Sequence, residues 1–179
     1  APTTPRAAGL PVVVTARGSR GQAARCAVSK HDPSLQGLND DADRLNFSLV
    51  ANGYAVIMPD LAGYVNFGAA GNPPSAYAGA EDVGRSTLDG SRALKAMFPT
   101  LGDKTVLVGH SQGGHSAFSA LSLAASYGAV SPIAGVAVYA PLWFSQRTWA
   151  ALLSSDIVEP NSYTTTNQET VPLPFMHVR

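Results

Sequence analysis

The feature that most constrains this chain is an abrupt change of pattern at residue 109. Thr105-Val106-Leu107-Val108 is a short, apolar, β-branched run. It passes directly into Gly109-His110-Ser111-Gln112-Gly113-Gly114, and beyond the glycine pair the alanine- and leucine-rich segment from Ser116 to Tyr127 continues as a helix. A strand that becomes a helix within so few residues must turn sharply. Gly109 and Gly113 remove the side chains that would collide in such a turn, and Ser111 is left exposed at the edge of a sheet.

The rest of the chain supplies partners for that strand. Pro11-Val12-Val13-Val14-Thr15 is nearly continuous and apolar, the pattern of a strand covered on both faces, and it ends in a glycine-containing loop from Arg17 to Gly21. Asp40 to Asn52 has an acidic start, apolar Leu45, Leu49 and Val50, and Gly53 just past its end, which predicts a capped helix. Tyr54 to Met58 reads as a second buried strand. Residues 60 to 80 are rich in Gly, Ala, Pro and Asn and have no period, so they predict a long surface loop. Helical spacing returns from Glu81 to Phe98, with Val83, Leu88, Leu94 and Met97 placed to face a sheet and small residues allowing close packing. Ile133 to Ala140 makes a fourth strand. Strands alternating with helices imply right-handed crossovers, a mainly parallel sheet, and chemistry at the strand C-termini.

Composition narrows the function. The chain of 179 residues is 45% apolar and can bury one substantial core. Twelve basic residues balance twelve acidic ones and only 13% of the chain is charged, so neither a phosphate backbone nor an anionic membrane is strongly attracted. Nucleic acid is excluded as a partner, and no run approaches the roughly 20 apolar residues of a transmembrane span. The opening Ala1-Pro2-Thr3-Thr4-Pro5 suits a mature end left after removal of a signal peptide, and the expectation is secretion. Cys26 is the single cysteine, an odd count for an exported chain. It reads either as a buried free thiol or as half of a disulfide whose partner lies on another segment.

The turn at Ser111 carries chemistry. A serine hydroxyl is a poor nucleophile unless a base takes its proton and preorganised donors meet the developing oxyanion. The Gln112 backbone N–H, at the start of the following helix, is one such donor. A second is expected from the loop after the first strand, where Gly18 lets backbone approach a substrate and Ser19 N–H is the candidate. No cofactor is required. Four scattered histidines and one cysteine offer no spacing for a metal site.

The base and acid are harder to find. In an α/β-hydrolase arrangement the acid and then the histidine follow the nucleophile, each at the end of a later strand, yet only residues 112 to 179 remain. His110, His115 and His31 read as structural or solvated. Asp156 and His177 are in the right order for a compact triad. The Thr- and Asn-rich stretch from Asn161 to Asn167 shows no helical period between them, which argues against it. The alternative is a base and acid on a continuation of the chain or on a second polypeptide from the same precursor.

Several stretches together resemble the secretory lipase family of the α/β-hydrolase superfamily. They are Cys26-Ala27-Val28-Ser29, Asn52-Gly53-Tyr54-Ala55-Val56 with Asp60-Leu61-Ala62-Gly63-Tyr64, Leu88-Asp89-Gly90-Ser91-Arg92-Ala93-Leu94-Lys95, and the Gly109 to Gly114 turn. The resemblance implies an α/β fold with a mainly parallel sheet and helices on both faces. Residues 1–142 would be the nucleophile half of the core. Residues 143–179 would be the start of a cap: Trp143, Phe144, Trp149, Leu152 and Leu153 make a short apolar helix candidate, and Trp149 to Leu153 looks like the beginning of that cap. It implies a secreted serine esterase or lipase acting on an ester or lipid, with Asp and His near the end of a longer chain, so that Asp156 and His177 become cap residues. It also implies a disulfide from Cys26 to a distant segment. Finally, it places the second oxyanion donor just before Cys26, at Arg25, so Ser19 and Arg25 compete for that role. Peptide or lactone hydrolysis on the same fold, and a catalytically inactive fragment or binding module, remain the alternative readings of the residues.

Overall fold

The computed structural model describes residues 9–20, 26–30, 40–64, 75–129, 131–142, 163–164 and 170–171. Its centre is β1 (Val12–Ala16), all five residues of which are buried. The β-branched run packs on both faces, as the absence of alternation in it predicts. β1 lies between β2 (Ala55–Ile57) and β3 (Thr105–His110), and β4 (Ile133–Tyr139) lies on the far side of β3. All three pairings are parallel, with Val13 between Val56 and Val106 and with Ala16 opposite Gly109. The helices α1 (Asp40–Ala51), α2 (Ala80–Met97) and α3 (Gln112–Leu123) each connect consecutive strands of this four-stranded sheet.

The expected elements are present, with informative differences. β2 is half-buried along its length, because it is an edge of the described sheet and not an interior strand. β3 runs to His110, and α3 begins one residue later, so the turn between them is a single residue, Ser111. α3 ends in a π-helical turn, Ala124–Gly128. On α2, Val83, Leu88 and Leu94 are buried, whereas Met97, the last residue of the helix, is 61% exposed. In the polar stretch without helical period, β5 (Tyr163–Thr164) is extended and pairs antiparallel with β6 (Thr170–Val171), which lies just beyond it. The Trp143 to Leu153 helix candidate lies outside the described residues.

Packing explains several sequence features. Gly53 ends α1 in the left-handed region with φ 84°, and its N–H donates to Val50 O at 3.0 Å. Thr15, fully buried at 0% exposure, is satisfied by donating to Asn46 Oδ1 on α1 at 2.8 Å. A Cβ on Gly84 would stand 2.9 Å from the Ser119 backbone, so the small residue is what lets α2 close on α3. The core joins Val12, Val14 and Leu107 of the sheet to Leu88 and Leu94 of α2 and to Ala117 and Ala120 of α3.

The Leu88 to Lys95 run is a clamp as well as a core face. Arg92 lies over the Tyr127 ring at 4.4 Å and donates to the carbonyls of Tyr127, at 2.8 Å, and Gly128. Tyr127 OH donates to Asp89 Oδ2 at 3.1 Å. These contacts satisfy carbonyls that the end of a helix leaves open and fasten the end of α3 to α2.

Candidate active site

Ser111 sits at the C-terminal end of β3 with φ 54° and ψ −117°, a backbone conformation that costs a side-chain-bearing residue about 1–3 kcal/mol. Bonds on both sides hold it there. Ser111 N–H donates to Tyr139 O at 2.9 Å, and Ser111 O accepts from His115 N–H at 3.1 Å and Leu142 N–H at 2.8 Å. Among the described residues the other non-glycine positions with positive φ are Tyr77 and Ala140. Ala140 directly follows Tyr139, and Tyr77 is bonded to Gln112, so all three strained residues belong to one neighbourhood.

The glycines of the turn are required by close approach. A Cβ on Gly113 would stand 2.8 Å from Arg17 O and still closer to the Ala16 carbonyl, while one on Gly109 would stand 2.7 Å from Gly114 N and overlap the Gly113 carbonyl. The turn therefore presses against the end of β1. The same contact brings the loop after β1 to the serine, since a Cβ on Gly18 would lie 3.4 Å from Ser111 Cβ and 3.2 Å from His110 Nδ1. Ser19 follows on that loop and is exposed; Arg25 lies outside the described residues.

Gln112 is the first residue of α3, where a backbone N–H has no acceptor within the helix and is free to meet a negative oxygen. Its side chain is buried and bonded. Gln112 Nε2 donates to Tyr77 O at 3.1 Å. Burial pushes the Tyr64 phenol above its ordinary value, a rise that the neighbouring Gln112 and Ser75 side chains and the charge of Arg17 offset in part. Arg17 lies over the Tyr64 ring at 6.0 Å. Burial and the like charge of Arg20 lower its pKa, opposed by Tyr64, Cys26 and Asp60. Ala16, Arg17, Val28, Pro59, Asp60 and Tyr64 surround a small hollow beside Gln112.

The histidines divide. His115 Nε2 contacts Ala78 O at 3.1 Å, so it is structural and fastens α3 to the segment before α2. His110 is exposed at the end of β3. His31, Asp156 and His177 lie outside the described residues. Cys26 is half-buried. Among the described residues no group of three or more His, Cys, Asp or Glu side chains could hold a metal ion, and no helix is long and apolar enough to cross a membrane.

Sequence reasoning missed Tyr77, Ser75 and the backbone of Tyr139 and Leu142. The first two lie in a stretch with no period, and backbone bonding to Ser111 leaves no mark in residue type. Tyr64 had a signal in the Asp60 to Tyr64 stretch, but no role could be attached to it.

A strained serine between a parallel strand and a helix, pressed against the loop after a neighbouring strand, defines a class of fold and site. The sequence model of the alpha/beta hydrolase family matches residues 36–174, and the chain belongs to that family. Lipase A of Candida antarctica in its closed state superimposes with a TM-score of 0.58 and 25% sequence identity, over 76% of this chain and 31% of that one. Another structure of the same lipase gives a TM-score of 0.60 at 25% identity and the same coverage. A putative hydrolase from Legionella pneumophila shares the fold, with a TM-score of 0.53 and 22% identity over 75% of this chain and 35% of that one. The likeness to the secretory lipases read from sequence is thus matched in three dimensions. The chain spans about a third of the length of these structures. No curated protein matches it in sequence.

Proposed function

We propose that these residues form the nucleophile half of a serine carboxylic-ester hydrolase, an esterase or lipase acting through an acyl-enzyme on Ser111. The observation that carries this reading is the conformation of Ser111, φ 54° and ψ −117°, between β3 and α3 with Gly18 of the β1 loop against it. A turn with no catalytic duty could take glycine at that position and avoid the strain. The hydroxyl attacks the ester carbonyl, and its proton passes to a base. Gln112 N–H and one N–H from the Ser19 to Arg25 loop hold the tetrahedral oxygen, the alcohol leaves, and water releases the acid.

The acid and base belong to a segment outside these residues, on a continuation of the chain or on a second polypeptide from the same precursor, joined through Cys26. The likeness to the secretory lipases supports secretion and an ester or lipid substrate. A panel of p-nitrophenyl esters, a triacylglycerol emulsion, a peptide anilide and a lactone tests the reading in the full-length protein. Esters are expected to turn over fastest and to be lost in Ser111→Ala. Faster turnover of the anilide or lactone would overturn the ester assignment, and an active Ser111→Ala would overturn the mechanism.

A further inference from the structure

The geometry points to Tyr77 as a positioning residue that braces both sides of the oxyanion site, an inference that rests on the reading of Ser19 and Gln112 as its donors. Tyr77 bonds each of them through a different part of itself. Its hydroxyl is hydrogen-bonded to Ser19 Oγ. Its carbonyl accepts from Gln112 Nε2 at 3.1 Å. One residue, on a segment distant in sequence from β1, therefore links the loop after β1 to the first turn of α3.

The backbone of Tyr77 is held for this. Its φ is 41°, and a bulky aromatic residue in the left-handed region is uncommon and costly. Glycine or asparagine would take that conformation at lower cost, so a tyrosine there calls for a use of its side chain. Supports surround it. Tyr77 N–H donates to Ser75 Oγ at 3.2 Å, and His115 Nε2 meets Ala78 O at 3.1 Å. The segment from Ser75 to Ala78 is thus fastened to α3 at Gln112 and at His115, and the Tyr77 hydroxyl reaches from it to Ser19.

Ser19 is exposed on the loop after β1, and the contact of Gly18 with His110 and Ser111 fixes the residue before it and not its own side chain, which the Tyr77 hydroxyl holds. A backbone donor assists only if it stands within hydrogen-bond reach of the oxygen as charge develops, and the contact is made in the transition state and not with the bound ester. Loosening the loop therefore lowers kcat and leaves KM nearly unchanged. Removing a donor outright costs about 100- to 1,000-fold. Here the donor is displaced and not deleted, since β1 and the Gly18 contact still hold the loop, and the expected loss is about tenfold.

The experiment is steady-state hydrolysis of a short-chain p-nitrophenyl ester by the full-length protein and by Tyr77→Phe, Ser19→Ala, their double variant and Ser111→Ala. Tyr77→Phe keeps the ring and the carbonyl and removes only the hydroxyl. The expected result is a kcat about tenfold lower in each single variant, KM within about twofold, an unchanged melting midpoint, and a double variant no worse than either single. A Tyr77→Phe kcat within twofold of the parent overturns the brace. So does a multiplicative, roughly hundredfold loss in the double variant, or a loss that follows the folded fraction. Ser111→Ala separates the two levels. Activity surviving in that variant removes the underlying reading, whereas an inactive Ser111→Ala beside a fully active Tyr77→Phe removes the brace alone.

Discussion

Gly113→Ala is the substitution for which the structure makes the strongest demand. A methyl group there would lie 2.8 Å from Arg17 O and still nearer the Ala16 carbonyl, against an ordinary carbon contact of about 3.5 Å. Every atom it meets is backbone, so no rotamer change relieves the overlap. Either the end of β1 or the first turn of α3 must move by on the order of 1 Å, and β1 is the fully buried centre of the sheet. Overpacking of this kind costs roughly 1–3 kcal/mol, and the rigid surroundings put this site at the upper end, about 3 kcal/mol. The same displacement separates Ser111 from the Gly18 loop, and a misplacement of that size costs on the order of 100-fold in rate. Gly135→Ala on β4 is the internal control, because a Cβ there meets nothing within 4 Å. Urea unfolding and ester hydrolysis of both variants test the reasoning. Gly113→Ala should be destabilised and nearly inactive while Gly135→Ala matches the parent. A Gly113→Ala protein as stable and active as Gly135→Ala would refute the geometry of the turn.

Arg92→Ala removes the cation over Tyr127 and the bonds to two terminal carbonyls; a loss of roughly 2 kcal/mol is expected, read as a melting midpoint lower by about 4–8 °C with kcat preserved. Tyr64 has a phenol pKa raised by burial, so it contributes stability that is fully present below the unfolded value near 10 and is lost as pH rises through the folded value. Alkaline unfolding of the parent should therefore fall away more steeply above about pH 10 than that of Tyr64→Phe, and coincident pH profiles would contradict it. Intact mass of the native protein with and without reductant tests the proposed link through Cys26, a heavier non-reduced species being expected and an identical mass counting against it.

Much of the fold could be read from residue patterns because burial on both faces leaves an unmistakable trace in β1 and β3, and because a strand running directly into a glycine-rich turn has few solutions. Met97 was misplaced because helical period says which face is apolar and not where the helix ends. β2 was read as interior because an edge strand with a short apolar run looks the same in sequence. The place of Ser111 and Gln112 between β3 and α3 is legible from motif and context. That of Tyr77 is not, since its left-handed φ and its two bonds arise only when residues distant in sequence meet. The choice between Ser19 and Arg25 is likewise a matter of loop geometry; Gly18, next to Ser19, lies against Ser111, and Arg25 falls outside the described residues.

The central claim is that Ser111 is the nucleophile. Treating the native protein with a fluorophosphonate, digesting it and mapping the adduct by mass spectrometry tests this most directly. One adduct per molecule is expected, on the peptide containing Ser111, with activity lost in step and no labelling of Ser111→Ala. Labelling of another serine, or full activity in a protein quantitatively modified at Ser111, would contradict it.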